Sequence, residues 1–288
     1  MTSDAKHIEL DHIPSMGSML LKTLMLRKPA QAEPQFKPIS VSVKGVKTQA
    51  DKLAKYCDVC GFTQTNTLPA TYPNIMGFAL VLQLMLEPEF PFGPVGAVHI
   101  CNHISQTRAL GANEALDFTV RMGDSAQVNK GYETNFITEI RVADELVWQA
   151  SSVMLIRKGG SGESKKSNTA EPAEYQQTVD WHLAANKGRQ YAAASGDYNP
   201  IHLYPFTAKL MGFKRQIMHG MWSKSRALAH LVPADYNGPI TAEVAFKLPI
   251  FLPSNLTFMV NSTEAGSEFE LRDEAGKKPH MAGSLSYN

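Results

Sequence analysis

Apolar and polar positions follow the same pattern in both halves of the chain, with helical periodicity first and β-type alternation after it. In the first half the helical pattern runs from Ile75 to Leu86, and in the second it starts after His219-Gly220. One helix against an antiparallel sheet is the simplest way to bury both apolar faces, so the pattern predicts the α+β fold class. The predicted strands are 95–104, 115–121, 133–141 and 145–156, and then 243–248, 255–260, 268–272 and 280–287.

Three pairs of similar segments occur in the same order in the two halves, which indicates two copies of one domain, with chance similarity as the alternative. The pairs are 50–62 with 185–197, 116–120 with 256–260, and 148–153 with 280–285. A polar stretch rich in Gly and Ser separates the halves and is typical of a flexible linker. We therefore predict a first domain over 1–157, a linker over 158–174 and a second domain over 175–288.

Composition and charge argue against several classes of function. The 288 residues are 43% hydrophobic and 19% charged, as in ordinary soluble globular proteins. A net charge of +1 argues against a nucleic-acid or anionic membrane partner, and the longest apolar stretch is too short to span a bilayer. The three cysteines are an odd number and suit a reducing compartment. Since neither a secretory signal nor a peroxisomal address is visible, we expect a cytoplasmic location.

The candidate chemistry lies in the string from Tyr191 to His202, which reads YAAASGDYNPIH. Gly196 allows a backbone turn, and Asn199 is pushed into an extended conformation because a proline follows it. The turn lets Asp197 and His202 face a common point, where a carboxylate and an imidazole can work as acid and base near neutral pH. The alternative is that both residues only cap local structure.

A second feature is the His219-Gly220 pair at the start of the predicted central helix. Unsatisfied N–H groups at a helix N-terminus attract an oxyanion, and Gly220 lets a substrate oxygen approach the main chain. A plain helix-start glycine is the alternative. The Cys57-x-x-Cys60 motif has no second ligand pair and is weak evidence for zinc, so no metal site is expected.

With these residues in place, the segment from Tyr191 to Leu231 resembles the MaoC-like, or hydratase 2, family of (R)-specific enoyl-thioester hydratases. The resemblance implies a double hot-dog fold, in which each half wraps a curved antiparallel sheet round one helix. It also implies that Asp197 and His202 carry the reaction, that Asn199 organises the site, and that the Gly220 N–H binds the thioester oxygen. His219 is expected among the substrate-binding residues rather than as a catalytic group.

The first half looks like a degenerate repeat, since Phe62 stands where the second half has Asp197. One active site per chain is therefore expected, with the first half accommodating the acyl chain. The residues expected to line that space are Met76, Phe78, Leu80 and Leu84. Some single-domain members carry a serine on the central helix at the position that is Leu228 here, so substrate preference is not carried over.

The resemblance implies reversible hydration of trans-2-enoyl thioesters to (3R)-hydroxyacyl thioesters, without a metal or redox cofactor. The substrate carrier would be CoA or an acyl-carrier protein, and the chain would be a monomer or a homodimer. Two other hypotheses stay open: a hot-dog acyl-thioesterase, and a non-catalytic subunit that binds acyl thioesters.

Overall fold

The computed structural model describes residues 5–26, 28, 34–157, 174–264 and 266–287, so the predicted linker lies almost wholly outside the described residues. The elements before the middle of the chain are β1 (Lys6–Leu10), α1 (Met16–Met25), β2 (Ile39–Val46), α2 (Ala50–Cys60), α3 (Tyr72–Leu86), β3 (Ala97–Gln106), β4 (Leu116–Val128), β5 (Gly131–Val142) and β6 (Glu145–Arg157). Those after it are β7 (Gln177–Leu183), α4 (Lys187–Ser195), a 3₁₀ turn (Pro200–His202), α5 (Pro205–Leu210), α6 (Gly220–Leu231), β8 (Ile240–Phe246), β9 (Ser254–Thr263), β10 (Gly266–Asp273) and β11 (Pro279–Tyr287).

The chain forms two compact units, and the first comprises residues 1–50 and 66–158. Its strands lie in the order β1-β2-β4-β5-β6-β3, antiparallel except for the parallel β1–β2 pair. Helix α3 packs on β2, β4 and β5. Because α3 is apolar on nearly every side, its residues are buried along most of its length, including Leu80 and Leu84 with no exposed surface.

The second unit comprises residues 51–65 and 159–288. Its strands lie in the order β8-β11-β10-β9-β7, all antiparallel. Helix α6 contacts β11, and Trp222 of this helix packs edge-on against Trp181 of β7. The unit also includes most of α2, although this helix falls within the predicted first domain over 1–157. Within it the Trp222 indole N–H donates to the Val59 carbonyl at 2.9 Å, and the Tyr56 hydroxyl hydrogen-bonds Ser225 at 2.7 Å.

Apart from the added edge strand β1, the two units share one arrangement, and the α+β prediction is confirmed. The strands β2, β3, β4, β5 and β6 correspond in order to β7, β8, β9, β10 and β11. Each similar pair of segments lies in corresponding elements: α2 with α4, β4 with β9, and β6 with β11. The expected helix-first order was wrong, because β1 precedes α1 and β2 precedes α2 and α3 in the first half, and β7 precedes α4 and α6 in the second. Among the described residues, no helix has both the length and the apolarity needed to cross a membrane.

Candidate active site

The candidate loop leaves helix α4 through a left-handed residue. Gly196 has φ 80° and donates its N–H to the Ala192 carbonyl at 2.8 Å, which ends the helix as an αL cap. Such a φ strains residues with a Cβ, so the turn at Gly196 confirms the backbone prediction. The exit directs Asp197 away from the helix axis instead of into another helical turn.

The side chains of Asp197 and Asn199 then accept hydrogen bonds from main-chain N–H groups within the loop. The Asp197 Oδ1 accepts the Asn199 N–H at 3.1 Å, and the Asn199 Oδ1 accepts the Ile201 N–H at 3.3 Å. Asn199 is extended, with φ −54° and ψ 125°, as expected before a proline. Asp197 therefore does cap a turn, but Oδ1 alone performs that role. Its side chain keeps 26% of its surface exposed, so the carboxylate remains accessible.

His202 is buried, and one of its ring nitrogens is fixed by the main chain. Its Nδ1 lies 2.8 Å from the Ile217 carbonyl oxygen, which can only accept, so Nδ1 carries the proton. In the neutral ring Nε2 is then left as a proton acceptor. Burial lowers the pKa of His202, while the Asp197 charge and the Ile217 carbonyl act in the opposite direction. The ring is thus held in the tautomer that a general base needs.

His219 lies directly behind this pair. Its ring stacks on the His202 ring with centroids 3.6 Å apart, and its Nε2–H donates to the Asp197 carbonyl at 3.0 Å. Only 3% of His219 is exposed, and burial followed by the proximity of His202 lowers its pKa well below the ordinary value. His219 is therefore neutral and holds the main chain of Asp197. Its Nδ1 has no hydrogen-bond partner within the described chain.

Asp197, His202 and His219 each offer one ligand-type atom within 4.8 Å of the others, which raises the question of a metal. Imidazole nitrogens bind a metal in the plane of the ring, at about 2.0–2.1 Å for zinc. The two rings are only 25° from parallel at 3.6 Å separation, so their in-plane lone pairs do not converge on one point. The geometry fits a pair of stacked, neutral imidazoles better than a metal centre.

The N-terminus of α6 lies next to this cluster. His219 is the N-cap, in an extended conformation, and Gly220 is the first helical residue, whose N–H lies outside the helical hydrogen-bond ladder. A Cβ added at Gly220 would lie 3.0 Å from the Phe246 ring, closer than ordinary contact. The close packing explains a glycine at this position independently of any ligand.

Comparison with known proteins gives the family. The profile of the MaoC like domain matches residues 166–283. A 3-hydroxyacyl-thioester dehydratase X from Mycobacterium tuberculosis is 30% identical over 248 residues, covering 85% of this chain and 88% of that protein. The chain belongs to the MaoC-like dehydratase family.

Two further matches agree with this assignment. The crystal structure of HtdX of Mycobacterium tuberculosis superimposes with a TM-score of 0.75 at 28% identity, covering 86% of this chain and all of that one. An (R)-specific enoyl-CoA hydratase from Aeromonas caviae is 36% identical over 76 residues, which is 25% of this chain and 57% of that protein. The double hot-dog prediction is thus confirmed for this MaoC-like protein.

The first half lacks the Asp–His pair at the corresponding position. Helix α2 also ends at a left-handed glycine, Gly61 with φ 81°, but Phe62 follows where α4 is followed by Asp197. The Phe62 ring stacks on Tyr56 at 6.2 Å. In place of His219-Gly220, helix α3 starts with Thr71 as N-cap and Pro73 near its first position. The backbone turn is therefore shared by the two halves, and the titratable groups are not.

The residues expected to line the acyl space all lie on α3 in the first unit. Leu80 and Leu84 are fully buried, whereas Met76 and Phe78 are partly exposed. Their side chains are apolar, and only the latter two have surface that a ligand could reach directly. The assignment of these four residues to the acyl chain stays a prediction.

Sequence reasoning missed two features that position the site. One is the Ile217 carbonyl, which selects the tautomer of His202 from fifteen residues away. The other is Gly188 on α4, where an added Cβ would overlap the His202 carbonyl oxygen. A glycine in the first turn of a helix was a visible signal for such close approach, but it does not identify the partner.

Proposed function

We propose that this MaoC-like protein catalyses the reversible hydration of trans-2-enoyl thioesters to (3R)-hydroxyacyl thioesters. The relatives named above support the reaction class. The observation that carries the proposal is the spacing of the catalytic pair, since an Asp197 oxygen and a His202 ring nitrogen lie within 4.8 Å. A water held by two hydrogen bonds of about 2.8 Å at a tetrahedral angle spans roughly 4.6 Å. A separation of this size is compatible with one bridging water, which the proposal places between the two groups.

The proton balance of the reaction suits this pair. As the water oxygen bonds to C3, one of the two groups takes the water proton, and the C2–C3 π electrons move towards the thioester. A proton from the pair is then delivered to C2, so the pair returns to its starting state. With Nδ1 committed to Ile217, Nε2 of His202 is a proton acceptor, and the Asp197 carboxylate stabilises the imidazolium that forms.

The developing charge on the thioester oxygen needs a hydrogen-bond donor. We place this oxygen at the N–H of Gly220, where the helix terminus adds partial positive charge. His219 would act behind the substrate by fixing the Asp197 main chain, and Asn199 by fixing the loop. The proposed reaction uses no metal or redox cofactor, because the water is activated by the pair alone.

The remaining parts of the proposal concern the substrate and its setting. The apolar helix α3 of the first unit would accommodate the acyl chain through Met76, Phe78, Leu80 and Leu84, and the linker would join the two domains. The thioester would be carried by CoA or by an acyl-carrier protein. We further propose a cytoplasmic protein that acts as a monomer or a homodimer.

The test is the loss of enoyl absorbance of crotonyl-CoA and of a longer trans-2-enoyl-CoA. Asp197→Asn keeps the oxygen that caps the turn but removes the charge, and His202→Gln keeps a side chain of similar reach. Each is expected to lower kcat by about 100-fold or more, as for loss of a general acid–base group. The melting temperature of each variant controls for folding. Dialysis against a chelator should leave the wild-type rate unchanged.

Two outcomes would contradict the proposal. Release of free CoA, detected with a thiol reagent, in place of hydration would show that water attacks the thioester carbonyl, as in a thioesterase. Full hydration activity in both folded variants would show that the water is activated elsewhere.

A further inference from the structure

An unusual amount of apolar surface lies next to the candidate active site. Eight large hydrophobic side chains are exposed in the described part of the chain, and five of them fall between Tyr198 and Met211. Phe206 is 70% exposed and Leu210 is 72% exposed. Since they are four residues apart on α5, they lie on the same helix face. Exposed apolar residues in a cluster, unlike single ones, mark interaction sites.

This cluster is fixed to the catalytic loop. Thr207 donates its hydroxyl to the Pro200 carbonyl at 2.6 Å, and Ala208 is buried beneath the helix. Phe206 is four residues from His202, which limits the separation of their Cα atoms to about 14 Å even for an extended chain. The apolar face therefore lies within a short distance of the reacting groups, on a segment held by side-chain hydrogen bonds.

The same segment carries cations and has no acidic residue of its own. Lys209, Lys214 and Arg215 are all exposed, and the sequence contains no Asp or Glu between Asp197 and Asp235. A local excess of one sign attracts a partner of the opposite sign and raises its association rate. We call this region the α5 surface, and its residues are Tyr204, Phe206, Lys209, Leu210, Met211, Lys214 and Arg215.

We propose that the α5 surface docks an acidic acyl-carrier protein, which presents the enoyl group on its phosphopantetheine arm. The proposal rests on the hydratase function proposed above and names the carrier of its substrate. An apolar centre with a charged rim is the usual anatomy of a protein–protein interface. The phosphates of CoA could bind the three cations, but CoA bound in this way would leave Phe206 and Leu210 exposed to water. An acidic protein surface satisfies both the cations and the apolar face.

The contact area should be small and the binding transient, because α5 has only six residues. Charge attraction would then contribute mainly to the association rate and would be screened by salt. The substitutions should therefore change kcat/KM on the carrier-bound substrate while leaving kcat nearly constant.

The experiment compares one enoyl group on three carriers: free pantetheine, CoA, and a purified acidic acyl-carrier protein. Two variants test the surface, a Lys209→Glu, Lys214→Glu, Arg215→Glu triple and a Phe206→Ser, Leu210→Ser double. Lys277→Glu with Lys278→Glu is the control for charge reversal elsewhere, because both lysines are exposed in the same unit but lie in the β10–β11 turn. We expect both test variants to lower kcat/KM on the carrier protein by about tenfold or more. Pantetheine and CoA rates should change less than about twofold.

Three results would overturn the proposal. The first is unchanged kcat/KM on the carrier protein in both test variants. The second is an equal loss on CoA and on the carrier protein, which would make the surface a nucleotide site. The third is an equal loss in the lysine control, which would reduce the effect to net charge.

Failure of the proposed function is distinguishable from failure of the docking. Absence of turnover on all three wild-type substrates would refute the hydratase function. Binding of the acidic carrier protein, measured by titration calorimetry at low salt, would still decide the docking. Binding that the triple variant abolishes would support it, and absence of binding by the wild type would refute it.

Discussion

The proposed oxyanion donor can be removed without disturbing the helix that carries it. Gly220 is the first residue of α6, a position where proline is favoured because the N–H makes no bond within the helix. The preceding residue must be extended to accept a following proline, and His219 already has φ −66° and ψ 133°. Gly220→Pro should therefore delete the donor at little cost to folding.

Alanine at the same position supplies the control for the added carbon. In both variants a Cβ would lie 3.0 Å from the Phe246 ring, so the ring must give by a few tenths of an ångström. Gly220→Ala keeps the N–H, and Gly220→Pro lacks it. The ratio of the two rates thus measures what the donor contributes, apart from the shared displacement of Phe246.

The expected size follows from other oxyanion sites. Loss of one such donor costs about 10²–10³ in kcat, or roughly 3–4 kcal/mol of transition-state stabilisation. We expect Gly220→Ala to keep kcat within about tenfold of wild type, because a small overpacking strain leaves the donor in place. Gly220→Pro should fall about 100-fold or more below Gly220→Ala.

Crotonyl-CoA hydration gives kcat for the three proteins, and circular dichroism melts verify that each is folded. A Gly220→Pro rate within threefold of the Gly220→Ala rate would refute the reasoning. The thioester oxygen would then be bound elsewhere, and the glycine would be explained by Phe246 alone.

Two more predictions concern the support of the site and its pH dependence. Gly188→Ala should lower kcat/KM by about 100-fold, because the new Cβ must displace the His202 main chain by roughly 1 Å. The control is Gly17→Ala, at the same position of helix α1 with open space around it, which should leave activity and melting temperature unchanged. A Gly188→Ala variant as active as wild type would show that the loop can move without loss of function. Burial lowers the pKa of His202, His219 and His280, so the unfolded chain binds more protons than the folded one on acidification. Denaturant titrations should therefore give a free energy of unfolding that is nearly level just above pH 7 and declines below about pH 6.5, and a rise towards pH 5 would contradict the burial of neutral imidazoles.

Periodicity predicted the elements whose side chains alternate between core and solvent. The strands β3 to β6 and β8 to β11, together with α3 and α6, were all found this way. Strands β1, β2 and β7 were missed. The sequence of β2 (Ile39–Val46) does alternate, but it stands apart from the later run of strands. Helices α2 and α4 were seen as similar segments, but their packing was not. The place of residues 51–65 in the second unit follows from contacts such as Trp222 with Val59, which no local pattern encodes.

In the site, too, local conformation was predictable from the sequence and tertiary contacts were not. The turn at Gly196 and the extended Asn199 follow from the conformational limits of glycine and of a residue before proline. The Nδ1 tautomer of His202 and its stacking on His219 depend on segments brought together by the fold. Local chemistry thus predicts the shape of the loop, whereas tertiary contacts decide the protonation of its histidines.

The comparison of the two helix ends shows which part of the motif belongs to the fold and which to the chemistry. Both α2 and α4 end at a glycine with φ near 80°, so this residue serves the helix end in each half of the sequence. The residue after this glycine is Phe62 in the first half and Asp197 in the second. Because the turn persists where the carboxylate is absent, the glycine alone is no evidence for a site. The functional assignment depends instead on the carboxylate, on the imidazole five residues later, and on the carbonyl of Ile217 that holds this imidazole in the Nδ1–H tautomer.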